Sequence, residues 1–306
     1  MGRMVAVRFW HGLIVIVGVT VAVFVVTRLI SDPVNVMLPL EASVEERAAF
    51  AAKLGLDRPI WAQFVDYLGQ LARLDLGTSL WQNRPALTIV MEHLPITLLL
   101  VVTSVVFAIV VAIPLGVVAA RRPGGWVDRV TVVLSLVALS VPQFWLGLLL
   151  ILLFAVTLGV LPSGGAGSAA HLVLPALTLA IPTLTRLVMV TRSQMIDELN
   201  AQYVRTLEAK GLSTWRVVAV HALRNAGVPV LTLATWEFIR MFSGYTVVVE
   251  TVFAWPGLGR LALQAIQRQD LVLVQAVVLT IAVIVVVFNL LVDFAYKAID
   301  PRIRLD

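Results

Sequence analysis

The chain has 306 residues, 60% of them hydrophobic and only 13% charged. Soluble domains sit nearer one half apolar and one quarter charged, so this composition argues against a soluble enzyme and for a polytopic membrane protein. The net charge of +5, from 23 Lys and Arg against 18 Asp and Glu, is a weak basic bias, and the absence of cysteine removes disulfides, thiolate metal sites and a Cys nucleophile.

A helix needs roughly 20 apolar residues to cross a bilayer core. Six stretches meet that length, at approximately 9–30, 95–119, 130–158, 172–195, 226–249 and 271–295. The second and third carry no charge at all. Lipid offers no hydrogen bonds to a bare backbone, so such runs must be helical; a β-barrel would show short alternating segments. The first run follows Arg3 and Arg8. It is about twice as long as a signal-peptide core and lacks a small-residue cleavage site, so it is read as a retained span.

Residues 31–94 form a long connection with eight acids and five bases. Ser43 and Glu46 stand at capping-box spacing before a helical pattern at 43–54. A second pattern at 61–74 puts Trp61, Phe64, Val65, Leu68 and Leu71 on one face. Together they predict a small helical external subdomain. Further on, Pro114, Pro142, Pro175 and Pro182 interrupt the apolar runs, and each removes a backbone donor. Packing kinks and gating hinges are both open readings there.

The segment 197–225 is the longest loop on the basic side and is patterned. Asn200 is placed to cap a short helix. Tyr203, Val204 and Leu207 form an apolar stripe, with Arg205, Glu208 and Lys210 elsewhere on its surface. Gly211 supplies a helix stop, and Ser213 can cap a second helix from Trp215 to Leu223. Gly227 and Pro229 then mark the start of span five. The residues alone leave two readings level: a helix that docks into a partner's groove, or one lying in the lipid interface.

Span five carries Glu237 and Arg240 near the membrane midplane, three residues apart on one face. A charge there costs about 2.5–3.5 kcal/mol by insertion scales, so such residues default to a functional role. A structural ion pair is the bland alternative. Arg186 in span four is placed to join Glu237, giving one acid and two bases, an excess that favours a carboxylate or another anion nearby. The following loop, Trp255-Pro256-Gly257-Leu258-Gly259, is turn-rich. It is read as a plug of the outer mouth or a contact for a binding protein, with an interfacial aromatic anchor as the plainer role for Trp255.

Thirteen Lys and Arg fall at the N-terminus, after spans two and four, and in the tail, against none at 159–171 and two, Arg260 and Arg268, after span five. The positive-inside rule puts both termini in the cytoplasm, as six spans require. Nucleotide-binding, hydrolase and metalloprotease signatures are missing, and His11, His93, His171 and His221 lie far apart, without ligand spacing.

Four stretches carry a resemblance. YVRTLEAKGLSTWRVVAVHALRNAGVPV at 203–230 looks like the cytoplasmic loop of permease subunits of bacterial ABC importers, specifically the dipeptide/oligopeptide family. SVPQFWLGLLL at 140–150 resembles that family's third span, and VVVETVFAWPGLGRL at 247–261 its outer loop after span five. DPRIRLD at 300–306 resembles its cytoplasmic ending. The match covers essentially the whole chain.

The resemblance implies an all-α type I importer permease fold of six transmembrane helices. Residues 1–30 would be the cytoplasmic N-terminus and first span, 31–94 the external subdomain, 95–299 a five-helix core with a coupling helix at about 200–211, and 300–306 the cytoplasmic tail. It implies that Tyr203, Arg205, Thr206, Leu207, Glu208, Ala209, Lys210 and Gly211 couple to a cytoplasmic ATPase. The wider superfamily has Glu-Ala-Ala and, after three more residues, Gly; here Arg205, Thr206, Leu207 and Gly211 occupy those places, the acid replaced by Arg as is usual in the peptide branch. The implied partners are a second homologous permease subunit, two ATPases that bind the ATP and Mg, and an external solute-binding protein. No cofactor, nucleic acid or enzymatic activity is expected of this chain itself, and the bacterial inner membrane is its expected location. Span five departs from the family pattern: members carry small apolar residues around its middle, where this chain has ATWEFIRMFSG at 234–244. The rival readings are a stand-alone secondary transporter or channel, which would not need the 203–211 helix, and an intramembrane enzyme, for which Glu237, Arg240 and Arg186 supply no nucleophile and base. The same pattern serves dipeptides, oligopeptides, glutathione-like peptides and nickel.

Overall fold

The computed structural model describes residues 2–30, 42–53, 55 and 57–299. Side chains of Arg3 and Lys297, and the whole of the 300–306 ending with Arg302 and Arg304, lie outside the described residues. Among those described, regular structure is helical apart from one isolated bridge between Thr78 and Pro85. Five helices are long and apolar enough to cross a membrane, and a bent pair makes the sixth. The chain is an all-α polytopic membrane protein. It divides into two compact units, Met1–Ile96 with Gly257–Asp306, and Thr97–Pro256.

In the first unit, α1 (Gly2–Ile30) packs along the last long helix, Leu271–Ile299. Gly12 permits the approach, since a Cβ there would lie 2.6 Å from Val286 Cγ1. Gln275 Nε2 donates to Thr27 Oγ1 across the same pair. The short helix α2 (Val44–Lys53) starts with the expected capping box: Glu46 N–H donates to Ser43 Oγ at 3.2 Å, and Ser43 N–H donates to Glu46 Oε2 at 2.9 Å.

Helix α3 (Ile60–Ala72) forms as expected but packs on a rotated face. Phe64 and Tyr67 meet Phe24, with ring centroids 5.1 and 5.5 Å apart, while Trp61, Val65 and Leu68 remain exposed. Tyr67 carries an apolar ring under its hydroxyl, so a stripe that leaves it out misplaces part of the buried face. Burial pushes the Tyr67 hydroxyl up to about 12.

Asp270 is fully buried at the start of the last helix and gathers three donors. They are the Ser79 hydroxyl, Trp81 N–H at 3.1 Å and Leu273 N–H at 3.1 Å, so one carboxylate caps the helix and fastens the 79–81 turn to it.

The second apolar run lies in α4 (Ala86–Ala120), which begins at Ala86 rather than at 95. The second unit takes this helix from Thr97 onward. The third run, 130–158, is not one continuous helix. It divides into α5 (Trp126–Ser140) and α6 (Gln143–Thr157), which meet at 103°. Pro142 lacks an N–H and pushes the residue before it out of helical geometry; Val141 is accordingly extended, at φ −86 and ψ 122.

The fourth run is α7 (Ala169–Leu199), with Pro175 and Pro182 inside it. Ala108 and Ala112 of α4 and Ala180, Leu187 and Val188 of α7 share a core with Val230 and Ala234. Small residues let membrane helices approach closely. Gly116 is one such point, because a Cβ there would stand 2.6 Å from Thr191 Cβ.

After the short helix α8 (Gln202–Ala209) comes α9, one helix over Thr214–Val252 with π-helical turns at Val217–Ala222 and Met241–Tyr245. It runs through Gly227 and Pro229, the expected start of span five. Residues 214–225 are amphipathic, so the apolar run begins later than the helix. The helix α10 (Leu258–Gln267), which the sequence reading does not anticipate, precedes α11 (Leu271–Ile299).

Candidate functional site

Two side-chain clusters stand out, both within the Thr97–Pro256 unit. The first holds α8. Asn200 does not cap this helix: it is helical at φ −88 and ψ −6, and its Nδ2 donates back to Ile196 O, closing α7. An N-cap needs extended backbone, and Ala201 supplies it without a capping side chain. Ser213 holds the N-cap position of α9, also without a side-chain cap bond.

α8 is fastened instead by Tyr203, whose hydroxyl donates to Glu198 Oε2 at 2.5 Å. Asn225 Nδ2 donates to both Glu198 Oε2, at 3.1 Å, and Tyr203 Oη, at 3.2 Å. One residue from each of α7, α8 and α9 thus closes a triangle. Burial, reinforced by the Glu198 carboxylate, pushes the Tyr203 hydroxyl up to about 12, so it stays a donor at any physiological pH. Val204 is buried where α8 meets the turn Val217–Ala222, and Leu207 is half-buried. Arg205, Thr206, Glu208, Ala209, Lys210 and Gly211 are exposed. Gly211 has φ +79, the left-handed stop that the sequence predicts.

The second cluster lies between α7 and α9. Glu237 is fully buried, and Arg186 grips it with two nitrogens: Nε donates to Oε1 at 2.7 Å and Nη2 to Oε2 at 2.6 Å. The Thr183 hydroxyl donates to Oε2 at 2.9 Å. Bidentate Arg–carboxylate pairs are the strong, geometrically specific kind, and they suit an ion that cannot reach water. Arg240 stands further off, its Nη1 3.5 Å from Glu237 Oε1, with its side chain 53% exposed. The structure therefore brings Glu237, Arg186 and Arg240 together.

The outer-loop residues are placed differently. Trp255 is only 4% exposed, so it is not presented as an interfacial anchor. Its N–H donates to Glu250 O at 2.8 Å, after a left-handed turn at Ala254 with φ +51. Gly257 and Gly259 are buried and Pro256 is half-buried. Glu250, buried nearby, accepts from the Thr97 hydroxyl at 2.7 Å.

Sequence reasoning misses one further pair. Asp128 is buried, and both of its oxygens are held by Arg192 from α7, while Gly124 N–H donates to Oδ2 at 2.8 Å. It fastens the basic turn after α4 to α7. Arg192 enters the sequence reading only as a topology-setting base. Its partner is 64 positions away, and no local pattern announces it.

Among the described residues no group of three or more His, Asp or Glu is placed to hold a metal. What the two clusters offer is a charged outward helix face fastened at its root, and a buried ion pair with an exposed cation beside it.

Comparison with known proteins then yields four findings. Residues 112–305 match the family described as binding-protein-dependent transport system inner membrane component. The chain is 38% identical to the oligopeptide transport system permease protein AppB of Bacillus subtilis, with 95% of each chain covered. It is 39% identical to the glutathione transport system permease protein GsiC of Salmonella choleraesuis, with 94% of each covered. Among solved structures, the inward-facing MetNI methionine ABC transporter superposes with a TM-score of 0.55 at 21% identity, covering 69% of this chain and 96% of that one. At that identity the likeness speaks for the fold alone.

Proposed function

The chain belongs to the family of binding-protein-dependent transport system inner membrane components, and from that premise we propose that it is the permease subunit of an ATP-driven importer of peptides, of the dipeptide and oligopeptide class. The observation that carries this reading is the near-complete match with permeases named for oligopeptide and glutathione transport. A secondary transporter or channel is not favoured by those relatives.

In this reading residues 1–30 are the cytoplasmic N-terminus and first span, 31–94 an external helical subdomain, 95–299 a five-helix core with the coupling helix at about 200–211, and 300–306 a cytoplasmic tail. Both termini face the cytoplasm. The chain itself is not an enzyme and binds no cofactor. Two cytoplasmic ATPases hold the ATP and Mg, a second permease subunit completes the path, and an external binding protein delivers substrate.

α8 is the lever. Its exposed residues Arg205, Thr206, Glu208, Ala209 and Lys210 offer polar groups to a cleft. The Tyr203–Glu198–Asn225 triangle and buried Val204 join its root to α7 and α9, so a displacement of α8 is passed to two spans rather than absorbed by a loose loop. Glu237, Arg240 and Arg186 lie along the path or its gate, and Trp255, Pro256, Gly257 and Gly259 shape the outer mouth.

The test is affinity purification from native membranes in mild detergent, followed by mass spectrometry. Co-purification of ATPases, a second six-span subunit and a binding protein is the expected result. A chain that purifies alone and transports after reconstitution without ATP overturns the reading.

A further inference from the structure

The exposed cation beside the buried ion pair sits in a surface that lipid does not suit. Glu237 accepts three short hydrogen bonds, two from Arg186 and one from the Thr183 hydroxyl, so its single negative charge is already matched by Arg186. Arg240 approaches it only to 3.5 Å, and its side chain is half exposed. The cluster therefore holds one negative and two positive charges, and the surplus resides on the exposed group.

Around Arg240 the same face of α9 presents Trp236 one turn before, and Ser243 and Gly244 one turn after, all exposed. A Cβ at Gly244 would meet nothing within 4 Å, so the helix surface is open one turn beyond Arg240. The helix also leaves α geometry here, in the π-helical turn Met241–Tyr245 that begins directly after Arg240. Such turns gather at functional sites, because the extra residue re-aims the side chains around it.

An ionised group near the membrane midplane costs about 2.5–3.5 kcal/mol unless it faces water, a partner charge or a ligand. We propose that Arg240 is the anchoring cation of a carboxylate site in the translocation path, engaging the C-terminal carboxylate of the peptide in transit; this deepens the peptide-importer reading and rests on it. The guanidinium fork matches a carboxylate in two parallel hydrogen bonds. Glu237 steadies Arg240 by attraction, while Arg186 leaves that carboxylate no capacity to neutralise a second cation. The open space at Gly244 admits the peptide backbone, and the exposed indole of Trp236 supplies an apolar wall that is indifferent to side-chain identity.

The test uses the complete importer in proteoliposomes: this chain, its partner permease, the ATPases and the binding protein. Uptake is read by mass spectrometry from an equimolar mixture of tripeptides with free and with amidated C-termini. The binding protein is the same in every arm, so its own preference cancels when a variant is compared with wild type. Arg240→Gln is expected to lower uptake of the free acids about tenfold or more and to leave the amides unchanged. Arg240→Lys, which keeps the charge but loses the fork, is expected to recover only part of the free-acid uptake that Arg240→Gln loses. Co-purification of each variant with its partners establishes that assembly is intact. Equal loss of acids and amides, as a structural or subunit-contact role would give, overturns the site, and so does no loss at all. A wild-type complex that takes up neither peptide with ATP sinks the peptide-importer reading itself, and the carboxylate site with it.

Discussion

Arg186 and Glu237 lie 51 positions apart, yet the guanidinium covers both oxygens of a carboxylate that has no solvent exposure. Removing one member of a buried pair leaves the other charged and unsatisfied, at a cost of about 3–5 kcal/mol. Glu237→Gln is thus expected to lower stability in detergent by that order, and Arg186→Gln/Glu237→Gln to recover much of the loss. Thermal aggregation of the four proteins of this cycle measures it; strict additivity of the single changes would show the pair to be uncoupled.

Arg205 and Gly211 test the lever. Arg205 is exposed, so Arg205→Glu leaves packing intact and reverses one charge on the docking face. Gly211→Pro forbids the φ of +79 that ends α8. Both are expected to uncouple ATP hydrolysis from uptake while the protein stays in the membrane. Normal uptake per ATP in either variant would refute the docking role.

Tyr203→Phe keeps the ring and removes only the hydroxyl that joins Glu198 and Asn225. The loss should be about 1–3 kcal/mol of local stability. Hydrogen exchange over 202–209 is expected to quicken while α7 and α9 retain their protection. Unchanged exchange would mean that Val204 alone holds the helix.

Gly116 offers a test of packing. Gly116→Ala puts a methyl against Thr191, and overpacking of this kind costs about 1–3 kcal/mol. Gly227→Ala, in open space inside α9, is expected to be neutral or slightly stabilising. Melting temperatures of the two variants in one detergent decide; equal behaviour would show that α4 and α7 are not locked at this point.

The absence of cysteine makes topology easy to probe. Ala166→Cys and Arg122→Cys each introduce a single exposed thiol. A membrane-impermeant maleimide added to intact spheroplasts is expected to label position 166 and not 122. Labelling of both from one side would break the proposed orientation.

Much of the fold was legible because hydropathy is a local property. Each apolar run of sufficient length must close its own backbone hydrogen bonds in lipid, so the runs name the helices without reference to one another. Ser43 and Glu46 likewise declare a helix start within four residues, and Gly211 declares a stop. The positions of Glu237 and Arg240 were readable for the same reason, as charges where the local pattern demands apolar groups.

The tertiary structure decided what depends on neighbours distant in sequence. The 103° break at Pro142 needed a choice between a kink and a full turn that the apolar run does not encode. Which face of α3 is buried was settled by Phe24, the burial of Trp255 by its surroundings, and the Asp128–Arg192 pair by two helices meeting. Composition and periodicity fix what each segment must be, because solvent acts on every residue separately. Pairing across 51 or 64 positions is fixed only when packed helices bring donors and acceptors within hydrogen-bond reach.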